Sequence, residues 1–204
     1  MAENKQMRSV ALVLTSLFIT VVVITVLIIS LSDDANSPSD AESVGGDFTL
    51  QSSKGLVSLS QFKGQAVLLF FGYTYCPDVC PTTMNSVAEA MSLLTEAEQA
   101  KVQPLFITVD PERDTISHLA EYLLFFHPKI IGLSDTISET KKVAAKYSVE
   151  FFKEGGDVKG ESYLISHTSY LFLISPDGEI VDLMSEHTNP ADIAETLRQQ
   201  IPSL

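Results

Sequence analysis

The sequence predicts an α/β fold in which amphipathic helices cover a layer of buried strands, all of it after residue 44. Three observations carry this. Two unbroken apolar runs of strand length, QAVLLFF at 65–71 and QPLFITV at 103–109, fit strands covered on both faces. Between them, residues 81–95 place Met84, Val87, Ala88, Met91 and Leu94 at helical spacing. The chain's two cysteines, Cys76 and Cys80, lie in the loop that joins the first run to that helix. Strand, cysteine loop, helix, strand is the order in which thioredoxin-like folds present their cysteines.

The first element lies ahead of this domain. Residues 9–31 are uncharged and almost wholly apolar, and at about 1.5 Å per residue a helix of that length spans a hydrocarbon core of ~30 Å. A cleaved signal peptide would have a shorter apolar region and a small-x-small cleavage site, and neither is evident. Lys5 and Arg8 precede the run, and Asp33 and Asp34 follow it. The positive-inside bias then leaves 1–8 in the cytoplasm, makes 9–31 a transmembrane anchor and puts the rest outside. Residues 32–44 (ANSPSD at their centre) read as a flexible linker, and 45–204 as one folded domain on the periplasmic side of a bacterial inner membrane.

Within the domain, 47–50 and 56–60 flank the turn-like QSSKG and suggest a small hairpin. After the strand at 65–71, proline follows each cysteine in CPDVCP. A residue before proline is steered away from the helical region, so the helix is expected to begin at Pro81 with Cys76 to Cys80 in a bent loop ahead of it. After the strand at 103–109 comes DPERDT, in which Asp114 or Thr115 can cap a helix that runs to Phe126 and stops at His127-Pro128. Ser134 or Asp135 caps a third helix over 135–147. Strands are expected at 149–152, 163–165, 169–174 and 179–184, the last two joined by SPDG, and Asn189-Pro190 opens a closing helix to about Gln200.

The formal net charge of −13 argues against nucleic acid and against docking on an anionic lipid surface. Two cysteines on the oxidising side of a membrane ordinarily form one structural disulfide. A two-proline loop at a helix N-terminus is a poor place for that bond. There the helix dipole lowers thiol pKa values and makes thiolates available as nucleophiles or as soft metal ligands. Thiolates select Cu(I) or zinc, and two of them call for a further donor, most often an imidazole. Four histidines are candidates. His118 reads as a surface residue, His127 as a partly cationic helix-end residue and His187 as part of a loop. His167 stands beside a short turn that feeds the apolar strand SYLFLI.

The words GYTYCPDVCPTTM, VDPERDT and SHTSYLFLISPDGEI, at these separations and behind one apolar segment, resemble the Sco (SenC) family of copper-handling proteins. The domain start GGDFTLQSSKGLVSLSQFKG is similar as well, so the resemblance covers nearly all of 45–200. It implies a thioredoxin-like fold with an inserted hairpin, and it makes Cys76, Cys80 and His167 ligands of copper, as Cu(I) and also as Cu(II). It further implies delivery of copper to the copper A centre in the copper-binding subunit of cytochrome c oxidase, with an upstream copper donor or thiol reductant as a second partner. Many members have His where this chain has Tyr75, and Asp where it has Ser166. Neither departure removes a ligand; Ser166 bears on how the imidazole is oriented.

Two enzymatic functions compete with metal transfer. A thiol–disulfide reductase would keep the oxidase cysteines reduced with the same Cys76 and Cys80, and it would not need His167. A peroxidase would need a basic residue beside the attacking cysteine, and the loop itself offers Thr74 and Asp78 alone. Asp78 and the acidic group Asp110, Glu112 and Asp114 can steer a partner or pair internally with Arg113, and DPERDT reads better as internal pairing.

Overall fold

The computed structural model describes residues 14, 17–27, 44–156 and 162–201. The expected tail 1–8 and nearly all of the expected linker lie outside the described residues. Of the expected anchor, 14 and 17–27 are described and helical, and among the described residues no helix is long and apolar enough to cross a membrane.

Five strands form the central sheet: β3 (Ala66–Gly72), β4 (Val102–Thr108), β5 (Ile131–Leu133), β8 (Leu171–Ile174) and β9 (Ile180–Met184), in the order β5-β4-β3-β8-β9. β3 and β4 pair in parallel with Phe70 opposite Phe106, β4 and β5 pair in parallel, and β8 runs antiparallel to both β3 and β9. Every residue of β3, β4 and β8 is buried, as their unbroken apolar runs require. Phe70, Phe71, Phe106 and Phe172 fill the centre of the core. This is the expected thioredoxin-like α/β arrangement, and β3 at its middle ends where the cysteine loop begins.

Two small hairpins flank the sheet. β1 (Thr49–Ser52) pairs with β2 (Gly55–Ser58), and β6 (Phe151–Glu154) pairs antiparallel with β7 (Leu164–His167). The second hairpin is inserted between the third long helix and β8, and it places His167 opposite Phe151.

The helices are α1 (Val79–Ser92), the one-turn α2 (Glu96–Gln99), α3 (Ile116–Leu124), α4 (Ile137–Lys146) and α5 (Pro190–Gln200). Side chains cap four of them: Thr95 forms a capping box with Glu98, and Thr115, Thr136 and Asn189 accept backbone N–H bonds from His118, Glu139 and Asp192. Thr136, one residue beyond the expected cap, therefore starts α4. α1 packs on α5, and α3 packs on β5, where a Cβ on Gly132 would come within 2.6 Å of Leu119.

One difference bears directly on the site. α1 begins at Val79, two residues before Pro81, so Cys80 sits in the first helical turn instead of in a loop. The restriction on a residue before proline is a bias that tertiary contacts override. The first four N–H groups of a helix have no intrahelical partner, so the missing N–H of Pro81 costs nothing there.

Candidate metal centre

The site is assembled from three segments: the loop after β3, the first turn of α1 and the end of β7. The donor atoms of Cys76, Cys80 and His167 all lie within 4.8 Å of one another. Among the described residues no other group of three His, Cys, Asp or Glu side chains converges in this way. His118, His127 and His187 do not join it. His187 is exposed beside Glu186, and His127 accepts the Lys129 N–H on Nδ1. Burial and the nearby Lys129 lower the His127 pKa, which corrects the expectation of a partly cationic imidazole.

Cys80 is fully buried and Cys76 partly so; both are free thiols. Asp78 precedes α1 without a side-chain capping bond, and the Cys80 N–H instead donates to Cys76 Sγ at 3.4 Å. A sulfur thus takes the place of the usual oxygen cap, and a helix N-terminus favours that sulfur as an anion. The Cys80 thiol, hydrogen-bonded to Cys76, lowers the Cys76 pKa to about 3 against the opposing effect of burial, with His167 also helping. The same hydrogen bond and its own burial push Cys80 up. The reduced pair therefore holds one thiolate at the mouth and one thiol behind it.

His167 is oriented by its own backbone neighbourhood. Its Nδ1 lies 3.0 Å from the Thr168 carbonyl oxygen, which can only accept, so Nδ1 donates there and the bond turns Nε2 toward the sulfurs. Nε2 is 3.5 Å from Cys80 Sγ. Phe70 and Tyr73 meet the imidazole edge-on, with ring centroids 6.2 and 5.9 Å away. A backbone carbonyl thus orients the imidazole where Ser166 offers no carboxylate.

Gly72, the last residue of β3, makes room for the buried sulfur. A Cβ there would lie 2.9 Å from Cys80 Sγ, 2.8 Å from Phe70 and 2.9 Å from Phe106.

DPERDT reads from its sequence as internal pairing, and in the fold it does more than pair. The buried carboxylate of Asp114 accepts from the Thr74 N–H at 3.0 Å, the Thr74 hydroxyl at 2.5 Å and the Thr108 hydroxyl at 2.7 Å. It fixes the start of the cysteine loop to the end of β4. Buried Asp110 accepts from the Tyr163 hydroxyl at 2.7 Å and from Arg113 Nε, while Arg113 Nη1 donates to the Tyr163 carbonyl at 3.0 Å. These bonds hold the base of the histidine hairpin. Tyr73 adds a direct link, its hydroxyl accepting the Ile165 N–H at 3.1 Å. His118, taken as a surface residue, reaches this network with Nε2 at 3.0 Å from the Thr74 hydroxyl.

Two sulfurs and one imidazole nitrogen in reach of one another, in a mostly apolar setting on a thioredoxin-like fold, form a group that could hold a soft metal ion. Comparison with known proteins gives this arrangement a family. The chain belongs to the SCO1/SenC family, whose model matches residues 36–202. It is similar to the mitochondrial protein SCO2 of Saccharomyces cerevisiae, 38% identical over 170 residues, which cover 82% of this chain and 56% of the yeast protein. It is also similar to the mitochondrial SCO2 homolog of Bos taurus, 38% identical over 159 residues, covering 76% of this chain and 59% of that one. The chain thus spans little more than half the length of these relatives. Among solved structures, Bradyrhizobium japonicum ScoI with copper bound is 36% identical, with a TM-score of 0.70 over 78% of this chain and 99% of that one.

These comparisons overturn the expected location. Placement in a bacterial inner membrane rested on the charges around 9–31, which orient a helix but do not identify the membrane that holds it. The yeast and bovine relatives are mitochondrial proteins.

Proposed function

We propose that this chain is a copper carrier that holds one Cu(I) between Cys76, Cys80 and His167 and passes it to the copper-binding subunit of cytochrome c oxidase. The convergence of those three donor atoms within 4.8 Å carries the reading. Thiolate and imidazole suit Cu(I), and a metal bonded to two sulfurs at ~2.3 Å holds them about 4 Å apart, which this loop accommodates without refolding. Copper bound to a relative of the same fold, ScoI, supports it. Cu(II) in the same place calls for an added oxygen ligand.

Each residue has a distinct part in the transfer. Cys76 already provides a thiolate; Cys80 gives up its proton as the metal enters, and His167 offers Nε2, the ring nitrogen turned toward the sulfurs. Cys76 is the more accessible sulfur, so an incoming acceptor ligand meets the metal on that side and displaces the three donors in turn. The uncharged run at 9–31 supports a tether that keeps the domain near a membrane-embedded client. The test is to mix copper-loaded chain with the copper-free, reduced soluble domain of the oxidase subunit. Copper should move to that domain; retention by this chain under excess acceptor would refute the reading.

One observation favours a second activity of the same site, thiol–disulfide reduction. A partly exposed thiolate at Cys76 backed by a buried thiol at Cys80 is an attacker with a resolving partner. In that reaction Cys76 Sγ bonds to one sulfur of the client disulfide and expels the other as a thiolate. Cys80 then attacks Cys76, leaving the client reduced and the pair oxidised.

A further inference from the structure

The three donors come from two bodies that share no secondary structure. Cys76 and Cys80 belong to the turn between β3 and α1, whereas His167 ends the β6/β7 hairpin, which pairs only within itself. How well the metal is held therefore depends on what joins the hairpin to the turn. Two side chains cross this junction: Tyr73, whose hydroxyl accepts the Ile165 N–H, and Arg113. Its guanidinium carbon is 3.6 Å from the ring centroid of Tyr163, at the base of the hairpin, and 4.6 Å from that of Tyr75, the residue before Cys76. The same guanidinium bonds the Tyr163 carbonyl through Nη1 and the Asp110 carboxylate through Nε. Lys153 of β6 also approaches the Tyr163 ring, at 4.4 Å, and is paired with Glu112. Arg113 thus makes planar contacts to both bodies while its charge is met by Asp110, buried in the segment that also anchors Thr74 through Asp114.

We infer that the Tyr75–Arg113–Tyr163 stack latches the histidine hairpin to the cysteine turn, and that Arg113 and Tyr75 are positioning residues that set how long copper is retained. The inference rests on the copper-carrier reading for its consequence and on the contacts above for its mechanism. A guanidinium can face two rings and donate two directed bonds at once, whereas an ammonium supplies charge without a plane. Tyr75 is half exposed, so its contribution comes from the ring face it offers to Arg113.

The test uses the full chain and three variants, Tyr75→Leu, Tyr75→Phe and Arg113→Lys. Lys keeps a cation beside Asp110, and Tyr75 is exposed enough for Leu to leave the core untouched. In the metal-free reduced chain, amide hydrogen exchange at Leu164 to His167 should speed up in Tyr75→Leu and Arg113→Lys, with the His167 ring resonances shifted as its contacts to Phe70 and Tyr73 change. Tyr75→Phe should restore both signals. In the copper-loaded chain, release to a Cu(I) chelator should quicken by about tenfold in the first two variants, the lower end of what orienting partners of metal ligands commonly give, and return toward wild type in Tyr75→Phe. Unchanged exchange and ring resonances in Tyr75→Leu and Arg113→Lys would overturn the latch whatever the copper data show. Changed exchange with no copper bound by the wild type would instead uphold the latch and refute the carrier reading.

Discussion

Replacing His167 by Ala separates metal transfer from thiol exchange, and the structure sets the size of each effect. The imidazole supplies one of three donors, and its Nε2 lies 3.5 Å from Cys80 Sγ. Loss of residues that merely orient metal ligands costs 10–100-fold in affinity, so loss of a ligand should cost at least about 100-fold, or roughly 2.7 kcal/mol. The fold should survive. His167 is partly buried and its edge contacts with Phe70 and Tyr73 are worth roughly 0.5–1.5 kcal/mol each, a loss of roughly 2–12 °C in Tm for a domain of this size. Cys76 should stay ionised, because its largest support is the hydrogen bond from Cys80 and His167 contributes less than that bond. Cu(I) affinity is measured by competition with a chromophoric chelator, and exchange by reaction of the reduced chain with a model disulfide. Copper binding should collapse while exchange stays within about twofold of wild type. His127→Ala and His187→Ala should keep their copper. An affinity in His167→Ala within about threefold of wild type, well short of a lost ligand, would refute the assignment.

Three further outcomes follow from the surroundings of the site. Because the folded Cys76 pKa is lowered to about 3, its thiolate population is already complete at neutral pH. Iodoacetamide should therefore label Cys76 at a rate that is nearly flat from about pH 6 to about 8, whereas an ordinary thiol of pKa ~8.5 gains roughly tenfold per pH unit; such a climb at Cys76 would refute the capping geometry. Gly72→Ala should lower stability by about 1–3 kcal/mol, read from urea unfolding, and weaken copper binding, since the new methyl group meets Cys80 Sγ at 2.9 Å. Asp114→Ala should cost about 2–4 kcal/mol by leaving the Thr74 N–H and the Thr108 hydroxyl without their acceptor, and an unchanged denaturation midpoint would show that the loop is held in some other way.

The central strands and the cysteine turn were legible because burial on both faces leaves an unmistakable apolar run, as in AVLLFFG and VQPLFIT. β5 escaped notice because three residues following a helix stop leave too little pattern, and the one-turn α2 for the same reason. The early start of α1 was hidden by a rule that is true on average for residues before proline, while the sulfur cap that accompanies the exception is a side-chain contact four residues back that is not among the usual oxygen caps. His167 stood out only by its neighbours in sequence, since its approach to the cysteines spans 87 residues and depends on a hairpin register. The roles of Arg113, Asp114 and His118 were beyond reach for a similar reason: pairing within DPERDT is local and readable, whereas contacts to Thr74, Tyr75 and Tyr163 are set by the sheet. Charges flanking an apolar segment, finally, carry orientation but no information about which membrane is involved.

The most direct test of the copper-carrier account is the Cu(I) stoichiometry of the full chain in its two cysteine states. Metal binding requires thiolates, and a disulfide between Cys76 and Cys80 has none to offer. The reduced chain should take up one copper, with two sulfurs and one nitrogen in its X-ray absorption signature, and the oxidised chain should take up none. Equal uptake by the oxidised chain would place the metal elsewhere and contradict the account.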